Sequence, residues 1–376
     1  MFGVYSGEVR ITTGGKVVVA MDGIGNEYIN HAIDELAGFL GIKENIPPEA
    51  ILEPFRNGKT KECVEKIADY LGLPIKVNLS ISDRFESRQL ATTNHAGQGV
   101  EGINAQVAIP NYLPSYGSSA FNGLPIHVKV SGNCSRFPET FVSIIAHELS
   151  HIILHSLLHA EKNNEFYTDL TAMILGFSKV IRLGRKVVVT RQNYPLIETT
   201  TTRFGYLSDE MFEFAFQRIQ QILRVNIKAD SDLRKKIRKK LNICRKQVAF
   251  YNRDLLRFRN FVEFLDKDLS RGIRQEDANK IVEFHQTGYF DYFVAVIKNS
   301  EQKLKAITGS ATGLLKDTKH YNLRRLDSLR VLIDRLDELV LEQQQALDLL
   351  RNNIKTVAKY IGLFNKFKIN RLVRSL

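Results

Sequence analysis

Two histidines and a glutamate stand close together in the apolar stretch from Phe141 to Leu158. Residues four apart lie one turn apart on the same face of a helix, so His147 and His151 can point ring nitrogens at one metal ion. Glu148 then lies beside that ion and can take a proton from a water molecule bound there. The donor types and their spacing indicate zinc.

The surroundings of these residues predict a buried helix. The stretch is apolar, rich in β-branched side chains and free of Gly and Pro, and the helix should begin near Pro138 or Glu139. A second helical run opens at Asn164, continues through Met173 and Phe177, and is expected to end near Gly184. Two consecutive helices are therefore expected to build any site here.

The later residues Glu165 and Asp169 make a resemblance specific. His-Glu-x-x-His followed by Glu-x-x-x-Asp on a second helix resembles the gluzincin metallopeptidases, most of all the group of CAAX-prenyl proteases and HtpX-type heat-shock peptidases. The resemblance implies that Glu165 is a zinc ligand beside His147 and His151, and that Asp169 braces a ligand histidine. It also makes Glu148 the general base.

The run from His147 to His155 also resembles the ImmA/IrrE-type peptidases, which are soluble enzymes linked to repressor cleavage. In that family too a glutamate on the next helix completes the metal site, so both resemblances select Glu165. A metzincin is excluded, because its pattern needs Gly where Leu154 stands and His where Leu157 stands.

Two further histidines, His155 and His159, continue the four-residue spacing. Each step of four turns the helix about 40° past a full circle, so His155 has drifted about 80° from His147. We expect these two to be ordinary buried or surface histidines. One of them as a ligand in place of Glu165 remains the alternative.

A tyrosine downstream of the metal motif is the candidate for oxyanion stabilisation, since the resemblance implies that a Tyr or His arrives from that direction. We assign this role to Tyr206, in a predicted turn segment at 198–208 that leads into a helix capped by Ser208. Tyr194 is a weaker candidate. A tyrosine packed at the start of a helix is the alternative interpretation.

The first part of the chain mixes helical and strand patterns, and with the resemblance it predicts an α+β, zincin-like domain over residues 1–225. The resemblance places the strand at 124–131 on the sheet edge beside the cleft, where a peptide could add to it; an ordinary half-buried edge strand is the alternative. Pro47 and Pro48 are assigned to a loop. The other predicted elements are a hairpin at 7–12 and 16–21, helices at 26–40 and 60–71, and strands at 75–82, 105–110 and 186–190.

Residues 226–376 predict an all-α coiled-coil domain. Apolar residues alternate steps of four and three over 237–269 and again over 326–364, where Gln343 is the polar member that would help to fix register. A linker at Gly309–Gly313 lies between the two seams. The simplest arrangement is an antiparallel coiled-coil hairpin, although each seam could instead pair with another chain.

The basic excess lies entirely in the second half of the chain. Residues 1–205 hold 19 Lys and Arg against 20 Asp and Glu, whereas residues 206–376 hold 34 against 21. Six positive charges fall within the seven residues Arg234–Lys240. This cluster could bind nucleic acid or an acidic partner protein, or it could be a solvated helix face.

Three widely spaced cysteines, Cys63, Cys134 and Cys244, provide no disulfide framework and no Cys-x-x-Cys metal site. There is no signal-peptide pattern, and no apolar run approaches the roughly 20 residues that span a bilayer. A cytoplasmic protein without a membrane partner is the expectation, with its oligomeric state left open.

Together these features predict a zinc-dependent metalloendopeptidase acting on a protein or peptide substrate. The alternative is a coiled-coil interaction protein or nucleic-acid-associated protein whose zinc site is structural or vestigial. A fourth coordination position that is open favours the enzyme, whereas one closed by a side chain such as His155 favours the alternative.

Overall fold

The computed structural model describes residues 24–82, 105–193, 196–268 and 288–359, together with the single positions 276 and 279. The chain divides into two compact units. The first ends at Val225 and also takes in Lys319–Asn322, and the second takes the rest. None of the helices in the described ranges is both long enough and apolar enough to cross a membrane.

The first unit combines helices with short strands, which confirms the predicted mixture of both. The predicted helix at 60–71 forms with those bounds, and Gly72 ends it in a left-handed conformation. Its helices are α1 (Ile24–Leu40), α2 (Pro48–Arg56), α3 (Thr60–Leu71), α4 (Pro138–Ser156), α5 (Glu165–Ala172), α6 (Ser178–Gly184) and the start of α7 (Asp209–Asp268). Its strands are β1 (Ile42–Lys43), β2 (Lys76–Ser82), β3 (Ala105–Val107), β4 (Pro125–Ser131), β5 (Lys186–Asn193), β6 (Leu196–Arg203) and β7 (His320–Tyr321).

Strand β4 is the middle strand of a three-stranded sheet with the order β2, β4, β3. It pairs in parallel with β2 along its whole length and antiparallel with β3. The expectation that 124–131 forms a sheet edge is therefore wrong, because its backbone is already paired on both sides. Within the described residues, β2 and β3 are the edge strands of this sheet.

Helix α4 is the core of the first unit. Nearly all of its residues are buried, as expected from the long apolar runs on both sides of the motif. It begins at Pro138, as predicted, because proline is well suited to the first turn. Helix α6 packs so closely against it that a Cβ on Gly184 would lie 2.3 Å from the Glu139 carbonyl oxygen.

A kink at Gly176 separates α5 from α6. Its φ of 105° is one that side-chain-bearing residues rarely adopt. Its carbonyl oxygen accepts a hydrogen bond of 2.9 Å from the Ile46 amide, and a Cβ there would lie 2.7 Å from the Glu44 carbonyl oxygen. The close approach of these two backbones requires glycine.

Two local predictions are wrong. Pro48 is not in a loop but is the first residue of α2, where its missing N–H leaves no helical bond unmade. The predicted turn segment at 198–208 is for the most part strand β6, which pairs antiparallel with β5. Its β-branched threonines suit a strand. The predicted hairpin at 7–21 lies outside the described residues.

The second unit is built on three long helices: the remainder of α7, α8 (Tyr289–Leu314) and α9 (Leu323–Lys359). One apolar cluster joins residues 251–258, 293–297 and 347–354 of the three helices. The other joins residues 237–244, 304–311 and 329–339. Helices α7 and α9 therefore run parallel, and α8 runs antiparallel to both.

This arrangement contradicts the predicted antiparallel two-helix hairpin. The expected linker at Gly309–Gly313 is helical and belongs to α8, which supplies the return leg between the two seams. A third helix widens the buried face of α9, so Leu332 and Leu339 join the core beside the predicted seam. The linker was predicted because Gly309 and Gly313 lie one turn apart and glycine disfavours helix, yet both are helical in α8.

Candidate metal centre

Helix α4 carries the two histidines and the glutamate of the motif on adjoining turns. His147, Glu148 and His151 are buried, with exposed fractions of 4%, 3% and 6%. The imidazole rings of the histidines lie 5.1 Å apart at nearly right angles. Because both side chains are buried, close packing restricts the directions in which the rings can point.

Helix α5 brings Glu165 to the histidines, as expected. Glu165 is the first residue of this helix, where Asn164 serves as the N-cap and its side chain accepts a hydrogen bond from the Phe166 amide. Glu165 Oε2 lies 3.0 Å from His147 Nε2 and 3.4 Å from His151 Nε2. One ligand atom from each of the three residues lies within 4.8 Å of the others.

These separations fit a zinc ion. Ligands that bind zinc tetrahedrally at about 2.0–2.1 Å lie roughly 3.4 Å from one another. The two distances from Glu165 Oε2, 3.0 and 3.4 Å, are close to this value. The donors, two imidazoles and one carboxylate, are those of catalytic zinc sites with three protein ligands.

Each histidine also has a partner at its other ring nitrogen. His147 Nδ1 lies 2.7 Å from Asp169 Oδ1, and His151 Nδ1 lies 3.3 Å from Thr168 Oγ1. The Thr168 hydroxyl donates to the Asn164 carbonyl oxygen, so it can accept from His151. When the imidazoles are neutral, both partners favour the proton on Nδ1, which leaves the Nε2 lone pairs free to bind a metal.

The electrostatics of the site favour a cation. Burial alone would lower the pKa of His147, but Asp169, Glu165 and Glu148 outweigh it and raise that pKa to about 10. Burial alone would raise the pKa of Glu165, but hydrogen bonds and charges of His147 and His151 lower it to about 2. Carboxylates thus surround the two imidazoles and stabilise positive charge between them.

Tyr206 lies against this group. Its ring stacks on that of His147, with centroids 5.5 Å apart and planes 22° apart. Burial, together with the charges of Glu165, Glu148 and Asp169, raises the pKa of Tyr206 to about 12. The phenol therefore keeps its proton at neutral pH and can donate a hydrogen bond.

Asp169 holds the Tyr206 segment as well as His147. Its Oδ2 accepts hydrogen bonds from the amides of Tyr206, at 2.7 Å, and Leu207, at 3.3 Å. The preceding Gly205 has a φ of 90°, and a Cβ there would lie 3.3 Å from the same oxygen. One carboxylate therefore fixes both a histidine of α4 and the loop before α7.

The other candidates from the sequence lie apart from this group. His155 and His159 do not belong to the donor group found among the described residues. His159 is buried, its Nδ1 accepts from the Glu161 amide, and its Nε2 lies 3.4 Å from Glu35. Tyr194 lies outside the described residues.

Sequence reasoning missed Thr168. It lies three residues after Glu165, so these two side chains share a helix face, and that spacing was the available signal. The hydrogen bonds from the amides of Tyr206 and Leu207 had no sequence signal, because backbone groups are the same at every position.

The basic cluster of the second unit, Arg234–Lys240, is partly paired. Arg234 contacts Asp230 Oδ2 through Nε at 2.7 Å and Asp317 Oδ1 through Nη1 at 2.5 Å. Lys240 pairs with a carboxylate of α9. The exposed members of the cluster are Lys235, Lys236, Arg238 and Lys239. Nucleic-acid or partner binding here stays a prediction, with fewer uncompensated charges than the sequence suggested.

Comparison with known proteins gives no match among protein-family models, curated proteins or solved structures.

Proposed function

We propose that the chain is a zinc-dependent metallopeptidase in which His147, His151 and Glu165 hold the metal. The observation that carries this proposal is the convergence of the three donor atoms within 4.8 Å, with both histidine Nδ1 atoms engaged elsewhere. Such outer partners fix the rings and their tautomers, as in metal sites of known enzymes. The proposed relatives are the gluzincins, on the strength of the residue pattern.

The proposed chemistry divides among four side chains. Zinc, when bound, supplies a Lewis acid that acidifies water and polarises a carbonyl group. Glu148 accepts a proton from the attacking water and passes it to the leaving amine. Tyr206 donates its phenolic hydrogen to the developing oxyanion. Asp169 holds His147 and the backbone of Tyr206 in place through its two carboxylate oxygens.

A catalytic role is preferred to a structural one because of the size of the donor group. In the part of the chain that the structure describes, the group contains three residues, and His155 is not a member. Catalytic zinc sites have three protein ligands and keep a position for water or substrate, whereas structural sites have four. The protein or peptide substrate is proposed from this chemistry.

The test uses Glu148→Gln, which preserves size but removes the base. We expect this variant to bind zinc with unchanged stoichiometry and to lose cleavage by several orders of magnitude. Cellular protein fragments made in the presence of wild type and variant are compared by mass spectrometry, and metal content is measured on the same preparations. The comparison also identifies substrates.

The matched control is Glu139→Gln, at the start of the same helix. Glu139 contacts Arg56 at 2.9 Å and is absent from the donor group. The Glu139→Gln variant should cleave like the wild type. Full cleavage by a zinc-loaded Glu148→Gln protein would remove Glu148 from the role of base, and a wild type that binds no zinc would refute the metal site.

A further inference from the structure

A small cavity lies beside Asp169 in the first unit. It is distinct from the candidate metal site, since neither His147 nor His151 lines it. Its volume is about 10 Å³, which is about the room that one water molecule requires. The walls are mainly apolar and include Phe204 and Phe212. The charged groups that line it are the carboxylate of Asp169 and the guanidinium of Arg185.

Arg185 is held firmly against this cavity. The residue follows directly after α6 and is only 6% exposed. Its Nη2 donates to the Leu207 carbonyl oxygen at 2.8 Å and lies 3.1 Å from Asp209 Oδ1. The guanidinium also lies over the Phe212 ring, 4.3 Å from its centroid, in a cation–π contact.

Two donor atoms of Arg185 remain unused. Within the described residues, Nε and Nη1 are buried and have no hydrogen-bond acceptor. Buried polar groups in proteins nearly always have a partner, either in the protein or in ordered water. Leaving two donors of a charged group buried and unpaired would be strongly unfavourable, because each has lost its hydration without replacing it.

Asp169 has matching capacity on the acceptor side. A carboxylate offers about four acceptor positions. Three of them are used, by His147 Nδ1 and by the amides of Tyr206 and Leu207. One position is left for a further donor.

We infer that this cavity holds an ordered water molecule that accepts from Arg185 and donates to Asp169, and that Arg185 thereby acts as a positioning residue for His147. The water would accept from one of the two unused donors, because Nε–H and Nη1–H point away from each other, and would donate to Asp169. Two hydrogen bonds lie within the usual range for buried water in proteins. The chain of contacts runs from Arg185 through the water to Asp169 and then to His147 Nδ1. This inference rests on the proposed metal site.

The test measures Co²⁺ binding by the full chain with Arg185→Met. Loss of outer partners typically lowers metal affinity 10–100-fold. Because Arg185 acts through two intermediaries, we expect a loss of about tenfold and a changed Co²⁺ visible absorption spectrum. The affinity is read from competition with a chelator, so cleavage activity is not needed.

The chain offers a matched control at Arg182. One turn earlier on α6, this arginine pairs with Glu213 at 3.0 Å and lies over the Phe216 ring at 4.8 Å. It repeats the contacts of Arg185 with Asp209 and Phe212, but it is about half exposed and does not line the cavity. Arg182→Met should leave the Co²⁺ affinity and spectrum unchanged.

A double-mutant cycle with Asp169→Asn separates positioning from general destabilisation. If Arg185 acts through Asp169, Arg185→Met should cause little further loss of Co²⁺ affinity when it is added to Asp169→Asn. An equal loss in both backgrounds, or equal affinities of Arg185→Met and Arg182→Met, would overturn the inference. Failure of the wild type to bind Co²⁺ would overturn the proposed function itself.

Arg185→Lys covers the case in which Arg185→Met does not fold. Lysine keeps a positive charge near Asp209 and Phe212, but its ammonium is a point charge on a flexible stem and does not reproduce the planar guanidinium that carries the Nε and Nη1 donors. The Lys variant should fold and still lose Co²⁺ affinity. A Lys variant with the affinity of the wild type would contradict a role for the Nε and Nη1 donors.

Discussion

At the scale of single residues, the hydrogen bonds made by the Nδ1 atoms of the two histidines differ in strength. His147 Nδ1 contacts an ionisable carboxylate at 2.7 Å, whereas His151 Nδ1 contacts the Thr168 hydroxyl at 3.3 Å. A bond to a charged acceptor is the stronger of the two. We therefore expect Asp169 to contribute more to metal binding than Thr168.

Thr168→Val tests the weaker contact. Valine has nearly the shape of threonine but leaves His151 Nδ1 without its acceptor, so metal affinity should fall by up to about tenfold. Chelator competition with Zn²⁺ measures the change. The control is Thr171→Val, since Thr171 is equally buried one turn later and donates to the Tyr167 carbonyl oxygen instead. Equal affinities of the two variants would show that Thr168 does not orient His151.

At the scale of elements, the three-helix unit buries a polar side chain, Gln343, within its apolar core. Gln343 of α9 is 4% exposed, and within the described residues neither of its amide atoms has a hydrogen-bond partner. It lines a small cavity together with Tyr251 of α7 and Ser300 of α8. Burying an amide without partners is unfavourable.

Gln343→Leu should stabilise the second unit, because leucine fills similar space without the unpaired amide. We expect the free energy of unfolding to rise by about 1–3 kcal/mol in urea denaturation. Gln345→Leu, at an exposed position of the same helix, should change it little. A destabilised Gln343→Leu protein would mean that the amide is satisfied by internal water.

A buried ion network ties the helices of this unit together. Asp230 of α7 is fully buried, and its two oxygens accept 2.7 Å hydrogen bonds from Arg234 Nε and Arg325 Nε. Arg325 also donates to the carbonyl oxygens of Leu314 and Lys316 at the end of α8. One carboxylate thus fixes where all three helices meet.

Asp230→Asn should destabilise the protein by about 3–5 kcal/mol, because both arginines lose the buried charge that balances them. Thermal and urea denaturation measure the loss. Asp232→Asn is the control, since Asp232 is half exposed and lies 3.9 Å from Lys235. This variant should lose no more than about 1 kcal/mol of unfolding free energy. Similar stabilities of the two variants would contradict a structural role for the network.

At the scale of the whole chain, four residues far along the sequence complete the first unit. Lys319–Asn322 belong to it, and β7 within them pairs antiparallel with β1. His320 Nε2 lies 2.6 Å from the Leu40 carbonyl oxygen, and Tyr321 donates to Glu44 Oε1 at 2.9 Å. The first unit is therefore incomplete in any fragment that stops at residue 225.

His320 should make stability depend on pH. Burial, and to a smaller degree the charge of Lys43, lowers the pKa of His320 below its usual 6.5, against the opposing bond to Leu40. The unfolded chain then binds a proton more readily than the folded one, so stability present above pH 6.5 is lost as pH falls toward the folded pKa.

His320→Gln keeps a donor for the Leu40 carbonyl oxygen but cannot take up a proton. It should lose less stability than the wild type between about pH 7 and 5 in urea denaturation. His31→Gln, at an exposed position of α1, should keep the slope of the wild type. Equal slopes for the wild type and His320→Gln would exclude this contribution.

The sequence alone determined those features that depend on local periodicity. Spacing of four places His147 and His151 on one face of α4, and helix starts at Pro138 and after Asn164 follow from local chemistry. Heptad steps likewise marked the parts of α7 and α9 that are buried. These features need no knowledge of distant residues.

Tertiary structure alone decided which neighbours each element has. Periodicity shows that β4 has a buried face, but not that β2 and β3 occupy both of its edges. It shows two seams, but α8 decides that α7 and α9 run parallel. Tertiary packing also brings Asp169 to the amides of Tyr206 and Leu207 and places it beside the same cavity as Arg185. Packing between elements far apart in sequence is set by the shape and burial of the whole chain, which no local spacing encodes.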